Sequence, residues 1–218
     1  MSPPPPRLFL LSPARCDGVR MSLLLRPAAS FPLARSLRSA AGAPLGDVFS
    51  FASGLYFRGK LAYARAFGRA PETQQRSALV ITPGAGLVEP ERHVRSAEVQ
   101  RWARVPVDLD EARYRRPLQR DAHRLAAELP AEAEVVLLGS IASDKYVDLL
   151  LSVFGRRLLF PVDFVGRGDM SRGGLLLRAA RGAAELPYRP VEGSVRRGPR
   201  PPRLERLPRA RPAPSEPG

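Results

Sequence analysis

The sequence predicts one α/β domain in three layers, with helices on both faces of a mostly parallel sheet. Two short and largely apolar runs, Ala78–Thr82 and Glu134–Leu138, are typical of strands that are buried on both faces. Each run stops at a turn that contains glycine, and a helical pattern comes later in the chain. With 218 residues and 44% apolar content, the chain has enough apolar surface for one sizeable core. We therefore predict a single domain over residues 7–192.

The first half of the chain is predicted to hold a leader, a strand and two helices. Residues 1–6 are rich in proline, and we predict a disordered leader there. A strand is predicted at 8–11 and a short helix after Ser30, which caps it. The most aromatic part of the chain comes next. It is predicted to be a helix that starts at the N-cap Ser53 and stops at Gly68.

The second half continues the alternation of helix, strand and loop. An apolar stripe predicts a helix at 113–129, whose row of arginines is either a solvated face or a phosphate-facing surface. After the strand Glu134–Leu138, a helix capped by Ser143 or Asp144 is predicted to end at Gly155. The elements predicted after it are a strand at 157–162, a glycine-rich loop at 164–174 and a helix at 175–183.

The segment from Gly193 to the last residue differs in composition from the rest. It carries seven arginines against Glu205 and Glu216, and its seven prolines disfavour regular structure. We predict a disordered basic tail over residues 193–218. The whole chain carries a net charge of +14, which predicts attraction to polyanions such as nucleic acid.

Cysteine, histidine and hydropathy exclude several classes of protein. Cys16 is the only cysteine, so the chain forms no internal disulfide and no thiolate zinc cluster. His93 and His123 are isolated, and we predict neither a metal nor a cofactor. No apolar run approaches the ~20 residues that span a bilayer. We expect no membrane partner and a cytoplasmic protein, although residues 1–46, with one acid, also fit an organelle transit peptide.

Polar and basic residues are concentrated where the predicted strands end. Parallel strands end at one edge of a sheet, and helix N-termini at that edge favour anions, so we predict a ligand site there. The loop 139–144 offers backbone N–H groups, and the loop 166–172 offers two guanidinium groups. The predicted ligand-binding residues are Ser12, Arg15, Ser53, Tyr56, Lys60, Ser140, Ser143, Tyr146, Arg167, Ser171 and Arg172.

The same edge contains candidate catalytic side chains. Asp144 or Asp169 would supply acid–base function, and Lys145 a charge or a nucleophile. Each of them, taken alone, is more typical of a surface ion or a helix cap, and the spacing reveals no set of nucleophile, base and orienting group. Cys16 follows Arg15 at this edge, so its pKa could be lowered, but a lone cysteine is more often an inert thiol. We predict that a thiol reagent labels Cys16 in the native protein and that a bound ligand slows the labelling.

Five short blocks, taken in order, are similar to the peroxide stress protein YaaA family. The block 142–146, Ala-Ser-Asp-Lys-Tyr, resembles the Ala-Ser-Asp-Glu-Tyr of that family. A looser similarity links the chain to uncharacterised bacterial and phage domains related to the archaeosine synthase catalytic domain. The chain lacks the Ser-Gly-Leu-Tyr-Gly of YaaA at 83–90 and the Pro-Cys…Lys-Pro-Tyr constellation of the archaeosine enzymes. The blocks lie at 10–15, 46–49, 86–90, 138–146 and 167–172.

The resemblance implies a fold and two kinds of function. The fold would be the uracil-DNA glycosylase-like α/β fold, over roughly residues 8–183. Similarity to YaaA implies DNA binding and a part in the oxidative stress response, and similarity to the archaeosine enzymes implies chemistry on a modified nucleobase. Three hypotheses therefore stand: a nucleic-acid-associated protein that recognises a base, a nucleotide or DNA; a small enzyme acting on a nucleobase or nucleoside; and a structural or regulatory module without a ligand. The oligomeric state stays open.

Overall fold

The structure is a computed structural model, and it describes residues 4–71 and 76–204. Its sheets are formed by short strands, most of them apolar, as the sequence runs predict. The strands are β1 (Arg7–Leu11), β2 (Ala43–Pro44), β3 (Ala78–Thr82), β4 (Gly86–Val88), β5 (His93–Val94), β6 (Glu134–Leu138), β7 (Leu158–Pro161) and β8 (Tyr188–Pro190). The helices are α1 (Val19–Leu25), α2 (Pro32–Arg38), α3 (Leu45–Ser53), α4 (Leu55–Phe67), α5 (Ser96–Trp102), α6 (Ala112–Glu128), α7 (Val147–Phe154) and α8 (Asp169–Arg181).

The main sheet has six strands in the order β4-β3-β1-β6-β7-β8. The four inner strands are parallel, and Leu10 of β1 pairs with Leu79 on one side and Leu137 on the other. The two outer strands, β4 and β8, are antiparallel to their neighbours. The prediction of a mostly parallel sheet is therefore confirmed, with antiparallel edges that the sequence pattern did not indicate.

Helices cover both faces of the main sheet. Side chains alternate between the faces along each strand, so an apolar strand presents apolar side chains to both layers of helices. Phe9 and Leu11 belong to a buried cluster that includes residues of α1 to α5 and α8. Leu8 and Leu10 belong to a second cluster, with α6 and α7. The three-layer α/β architecture is thus confirmed.

Two predicted helices differ from the observed ones. The aromatic segment forms two helices, because Gly54 adopts φ +61 between α3 and α4. Ser53 is the last residue of α3 and not the N-cap of a helix. Helix α8 begins at Asp169, so the second half of the predicted loop 164–174 is helical.

Glycine in α8 is explained by a close helix crossing. A Cβ atom on Gly173 would lie 2.7 Å from the Cα atom of Tyr56 in α4, and one on Gly59 of α4 would lie 2.6 Å from the carbonyl oxygen of Gly173. The two backbones approach each other at a distance that only glycine permits. Gly173, the first of the two glycines that suggested a loop, therefore serves packing.

The segment that follows β8 has no regular secondary structure through Leu204. Arg196 forms an ion pair of 2.7 Å with Asp148 of α7, and Arg167 Nη1 donates to the Pro202 carbonyl oxygen at 3.2 Å. The sequence predicts a disordered tail from Gly193, whereas residues 193–204 contact the domain at these points. Residues 1–3 of the predicted leader and 205–218 of the predicted tail lie outside the described residues. Within the described ranges, no helix combines the length and apolar character that crossing a membrane requires.

Candidate functional site

A cleft of about 1210 Å³ lies at the carboxyl edge of the main sheet. It is lined by Ser12, Pro83 and Ser140, which come directly after or within two residues of the ends of β1, β3 and β6. The segment 102–107, at the end of α5 and after it, forms another wall. The cleft therefore lies where parallel strands of an open α/β sheet end, which is the usual position of a ligand site in such folds.

The cleft brings together most of the residues that the sequence predicts for a site. Those that line it are Ser12, Arg15, Ser53, Tyr56, Ser140, Ser143, Lys145, Tyr146 and Asp169. Those that do not line it are Lys60, Asp144, Arg167, Ser171 and Arg172.

Lys60 lies beneath the cleft, in the middle of α4, and only 1% of it is exposed. Its Nζ atom is 2.6 Å from the carbonyl oxygen and 2.9 Å from the Oγ atom of Ser12. The ring centroids of Tyr56 and Phe57 lie 4.5 and 4.8 Å from Nζ. Lys60 forms no ion pair among the described residues, so the protein interior stabilises this amine mainly by dipoles and aromatic faces.

The environment changes the protonation of Lys60. Burial lowers the pKa of its amine to about 7, because the charged form loses its hydration. The charge of Asp169 raises this pKa and that of Arg172 lowers it, both by less than burial does. A substantial fraction of Lys60 is therefore a neutral amine near pH 7.

Two tyrosines complete the inner part of the cleft. Tyr146 accepts a hydrogen bond of 3.2 Å from the backbone N–H of Ser140. A Cβ atom on Gly139 would lie 2.8 Å from the Tyr146 hydroxyl and 2.9 Å from Ser12 Cβ, so this glycine permits both side chains to meet beside β6. The Tyr56 hydroxyl is buried and has no hydrogen-bond partner among the described residues, and burial raises its pKa.

The rim of the cleft is basic. Arg15, Arg20, Arg104 and Lys145 line it and are exposed, against the carboxylates of Asp17 and Asp169. Arg15 pairs with Asp17 at 3.3 Å. The other three cations form no ion pair in the described part of the chain.

Arg172 is in α8 and is buried, whereas the sequence predicted a ligand-facing loop residue. Its Nε and Nη2 atoms donate to the Phe164 carbonyl oxygen at 3.2 and 3.1 Å, and Nη1 lies 3.5 Å from Asp169. Arg167 is also displaced from the cleft, since its Nη1 atom donates to Ser171 Oγ and to the Pro202 carbonyl oxygen. Both arginines brace the start of α8, because each guanidinium group makes two contacts, Arg172 to the Phe164 carbonyl oxygen and Arg167 to Ser171 Oγ and the Pro202 carbonyl oxygen.

Two further expectations about side chains are corrected. Cys16 lines the cleft but is only 6% exposed, and burial, with a smaller effect of Asp17, raises the pKa of its thiol to about 12. The option of a lowered pKa is therefore wrong, and the alternative of an inert thiol fits the structure. Neither Ser143 nor Asp144 caps α7, which has Tyr146 as N-cap without a side-chain bond. Ser143 Oγ instead accepts from the backbone N–H of Lys145 at 3.3 Å.

Sequence reasoning missed the wall and part of the rim of the cleft. Arg20 is the second residue of α1, and its guanidinium lies beside Gly54, whose missing side chain leaves room for it. Trp102, Arg104 and Val105 come from α5 and the turn after it. The apolar residues of Val105-Pro-Val could have indicated this wall, because apolar side chains are unusual in a loop that is exposed to solvent.

The fold and the cleft define a three-layer α/β protein with a basic rim around a polar, tyrosine-containing site at the carboxyl edge of its sheet. Among the described residues, no group of three or more histidine, cysteine or acidic side chains could hold a metal ion. Comparisons of the chain with models of protein families, with curated proteins and with solved structures returned no match.

Proposed function

We propose that this protein associates with nucleic acid and binds a base or nucleotide in the cleft at the carboxyl edge of its sheet. The observation that carries the proposal is the rim, where Arg20 and Arg104 lack carboxylate partners among the described residues, while Lys145 lies near the Asp17 carboxylate. Cations without a neighbouring acid attract phosphate groups, and release of counterions drives such binding. The net charge of +14 acts in the same direction at long range.

The arginine row of α6 is the other candidate binding surface, and its ion pairs favour the cleft instead. Arg113 pairs with Glu111, and Arg120 and Arg124 both contact the buried carboxylate of Asp121. Ion-paired arginines release less energy on meeting a phosphate, because one attraction replaces another. The three paired arginines therefore fit the solvated face, which is one of the two interpretations of this row, whereas Arg116 forms no ion pair among the described residues.

The arrangement of the YaaA-like blocks supports the proposal further. The blocks 10–15 and 138–146 both line the cleft, and the block 167–172 reaches it through Asp169. The blocks 46–49 and 86–90 meet where the Gly46 N–H donates to the Pro90 carbonyl oxygen at 2.7 Å. The uracil-DNA glycosylase-like fold and a part in the oxidative stress response belong to this proposal, on the strength of the resemblance alone.

Binding to a duplex oligonucleotide, measured by fluorescence anisotropy at several salt concentrations, tests the proposal. For Arg20→Ala and Arg104→Ala we expect weaker binding, and a slope of log K against log salt that is shallower by about 0.9 for each phosphate that the variant does not neutralise. Arg116→Ala is the matched control, because it removes one exposed arginine from α6. Equal weakening in all three variants would mean that charge alone, and not the cleft, governs binding.

A panel of nucleotides and single-stranded oligonucleotides, measured by thermal unfolding, separates the possible ligands. A ligand that binds only the folded state raises Tm, by mass action. Stabilisation by free nucleotides would show that a single nucleotide binds without a longer strand. If neither duplex, single strand nor nucleotide binds at low salt, the proposal fails and a module without a ligand is favoured.

A further inference from the structure

Ser12 and Lys60 form a polar pair at the floor of the cleft. The Ser12 Oγ atom lies 2.9 Å from Lys60 Nζ, and Ser12 lines the cleft while Lys60 lies beneath it. A second contact fixes the pair, because Lys60 Nζ also lies 2.6 Å from the Ser12 carbonyl oxygen. The attraction of phosphate to the basic rim makes no use of either group.

The hydrogen-bond inventory of a neutral amine fits this geometry. A neutral Lys60 has two N–H donors and one lone pair. In the structure Lys60 Nζ donates to both oxygens of Ser12, as a charged amine does, with its third hydrogen directed at the aromatic rings of Tyr56 and Phe57. When the amine is neutral, one donor stays on the carbonyl oxygen and the lone pair can accept the hydrogen of the Ser12 hydroxyl at the same distance of 2.9 Å.

We propose that Ser12 and Lys60 are a catalytic pair that hydrolyses an ester or thioester, with Ser12 as nucleophile and Lys60 as general base. This activity goes beyond the proposed binding of nucleic acid. A serine is a weak nucleophile unless an adjacent base accepts its proton, and an uncharged lysine at hydrogen-bond distance is such a base. The basic rim favours substrates that carry an anionic group away from the reacting carbonyl.

In the first step, the Ser12 Oγ–H proton passes to the lone pair of Lys60 Nζ as Oγ forms a bond to the carbonyl carbon. The carbonyl electrons move to oxygen, and then return as the bond to the alcohol or thiol breaks. The leaving group takes the proton from Lys60. Water then attacks the acyl carbon as its proton passes to Lys60 Nζ, the bond from that carbon to Ser12 Oγ breaks, and Oγ takes the proton back. The products are a carboxylic acid and an alcohol or thiol, without any oxidant or reductant.

Tyr146 is the group placed to stabilise the negative oxygen of the intermediate. Its hydroxyl already accepts from the Ser140 N–H, which leaves its own hydrogen to donate. Ser12 and Ser143 lie within hydrogen-bonding reach of this hydroxyl and lower its pKa, while burial raises it by more. The tyrosine therefore donates as a neutral hydroxyl near pH 7.

The protonation of Lys60 supports the assignment. Its pKa of about 7 leaves the amine able to accept a proton at neutral pH. The groups that face it are the ring of Tyr56 on α4, the Ser12 hydroxyl, and the charges of Asp169 and Arg172 on α8. The two charges act in opposite directions, so burial sets the pH at which the pair becomes active.

A fluorophosphonate probe, which phosphonylates activated serines with loss of fluoride, tests the pair directly. Peptide mass spectrometry of the full-length protein should find the adduct on Ser12, and Ser12→Ala should lose it. Ser22→Ala, an exposed serine on α1, should keep it. No adduct on Ser12, or equal adducts on Ser12 and Ser22, would overturn the proposal.

Lys60→Met tests the base. Where circular dichroism shows that this variant is folded, the labelling rate of Ser12 should fall by about 100-fold, the range of general-base catalysis. An unchanged rate in the folded variant overturns the role of Lys60.

If the variant does not fold, the pH profile of the intact protein decides. Labelling should rise with pH and level off above about 7, where Lys60 is neutral. A rate that rises without levelling would show that Lys60 is not the base.

Discussion

Substitution of Gly173 by alanine should be strongly destabilising, although alanine is the better helix former. A Cβ atom there would lie 2.7 Å from the Tyr56 Cα atom and 2.8 Å from the Leu55 carbonyl oxygen. Both are backbone atoms of α4, so no side-chain rotation can relieve the contact. Gly174, the next residue in α8, is the matched control, because its nearest neighbour would be Leu204 Cδ1 at 3.6 Å, an ordinary contact.

The magnitude follows from two opposing effects. Overpacking costs about 1–3 kcal/mol, and backbone contacts favour the upper end of this range. Alanine in place of glycine within a helix raises the free energy of unfolding by about 1 kcal/mol. We therefore expect Gly173→Ala to lower the free energy of unfolding by about 2 kcal/mol, and Gly174→Ala to raise it by about 0.5–1 kcal/mol.

Thermal unfolding of the two variants beside the wild type checks this expectation. For a chain of this length, 1 kcal/mol corresponds to about 2–4 °C in Tm. Gly173→Ala should thus unfold about 4–8 °C below the wild type, and Gly174→Ala slightly above it. If both alanine variants unfold at the same temperature, the close approach of α4 and α8 does not exist as described.

Two further predictions concern buried cations. Arg172→Ala should lower the free energy of unfolding by about 2–4 kcal/mol, because the Phe164 carbonyl loses two charge-assisted hydrogen bonds. Arg181→Ala is the control on the exposed end of α8, and it should change the free energy of unfolding by less than about 0.5 kcal/mol. Equal Tm values for both variants in thermal unfolding would contradict this. Lys60 has a pKa of about 7 when folded and an ordinary value of 10.5, so the unfolded state binds more protons between these values. Stability in urea should therefore rise with pH from about 7 to 10.5, by up to about 1.4 kcal/mol per pH unit, and Lys60→Met should lack this rise.

The sheet and its functional edge could be predicted from the sequence because they depend on local patterns. Two of the predicted strands have the bounds that the sequence indicated, Ala78–Thr82 and Glu134–Leu138. A short apolar run of this length is typical of a strand that is buried on both faces. Once the strands were parallel, their ends had to meet at one edge. Ser12 and Ser140 could therefore be placed near each other without any knowledge of the helices.

Contacts between distant segments could not be predicted. The role of Gly173 depends on α4, more than a hundred residues earlier in the chain, and the local pattern Gly-Gly favours a loop. The burial of Cys16 depends likewise on the helices packed around it. Lys60 was expected beside a ligand, and its hydrogen bonds to Ser12 appear only when α4 packs against β1.

The two outer strands of the main sheet have a consequence for its growth. A sheet edge exposes unpaired N–H and C=O groups, on which a strand of another molecule can add. Here β4 and β8 are each three residues long, and Pro190 ends β8 with a residue that has no N–H to donate. Pro187 and Pro90 lie just outside the two strands and shorten the donor rows further. The short antiparallel strands thus close both sides of the parallel strands and leave few free backbone groups on which a strand of another molecule could add.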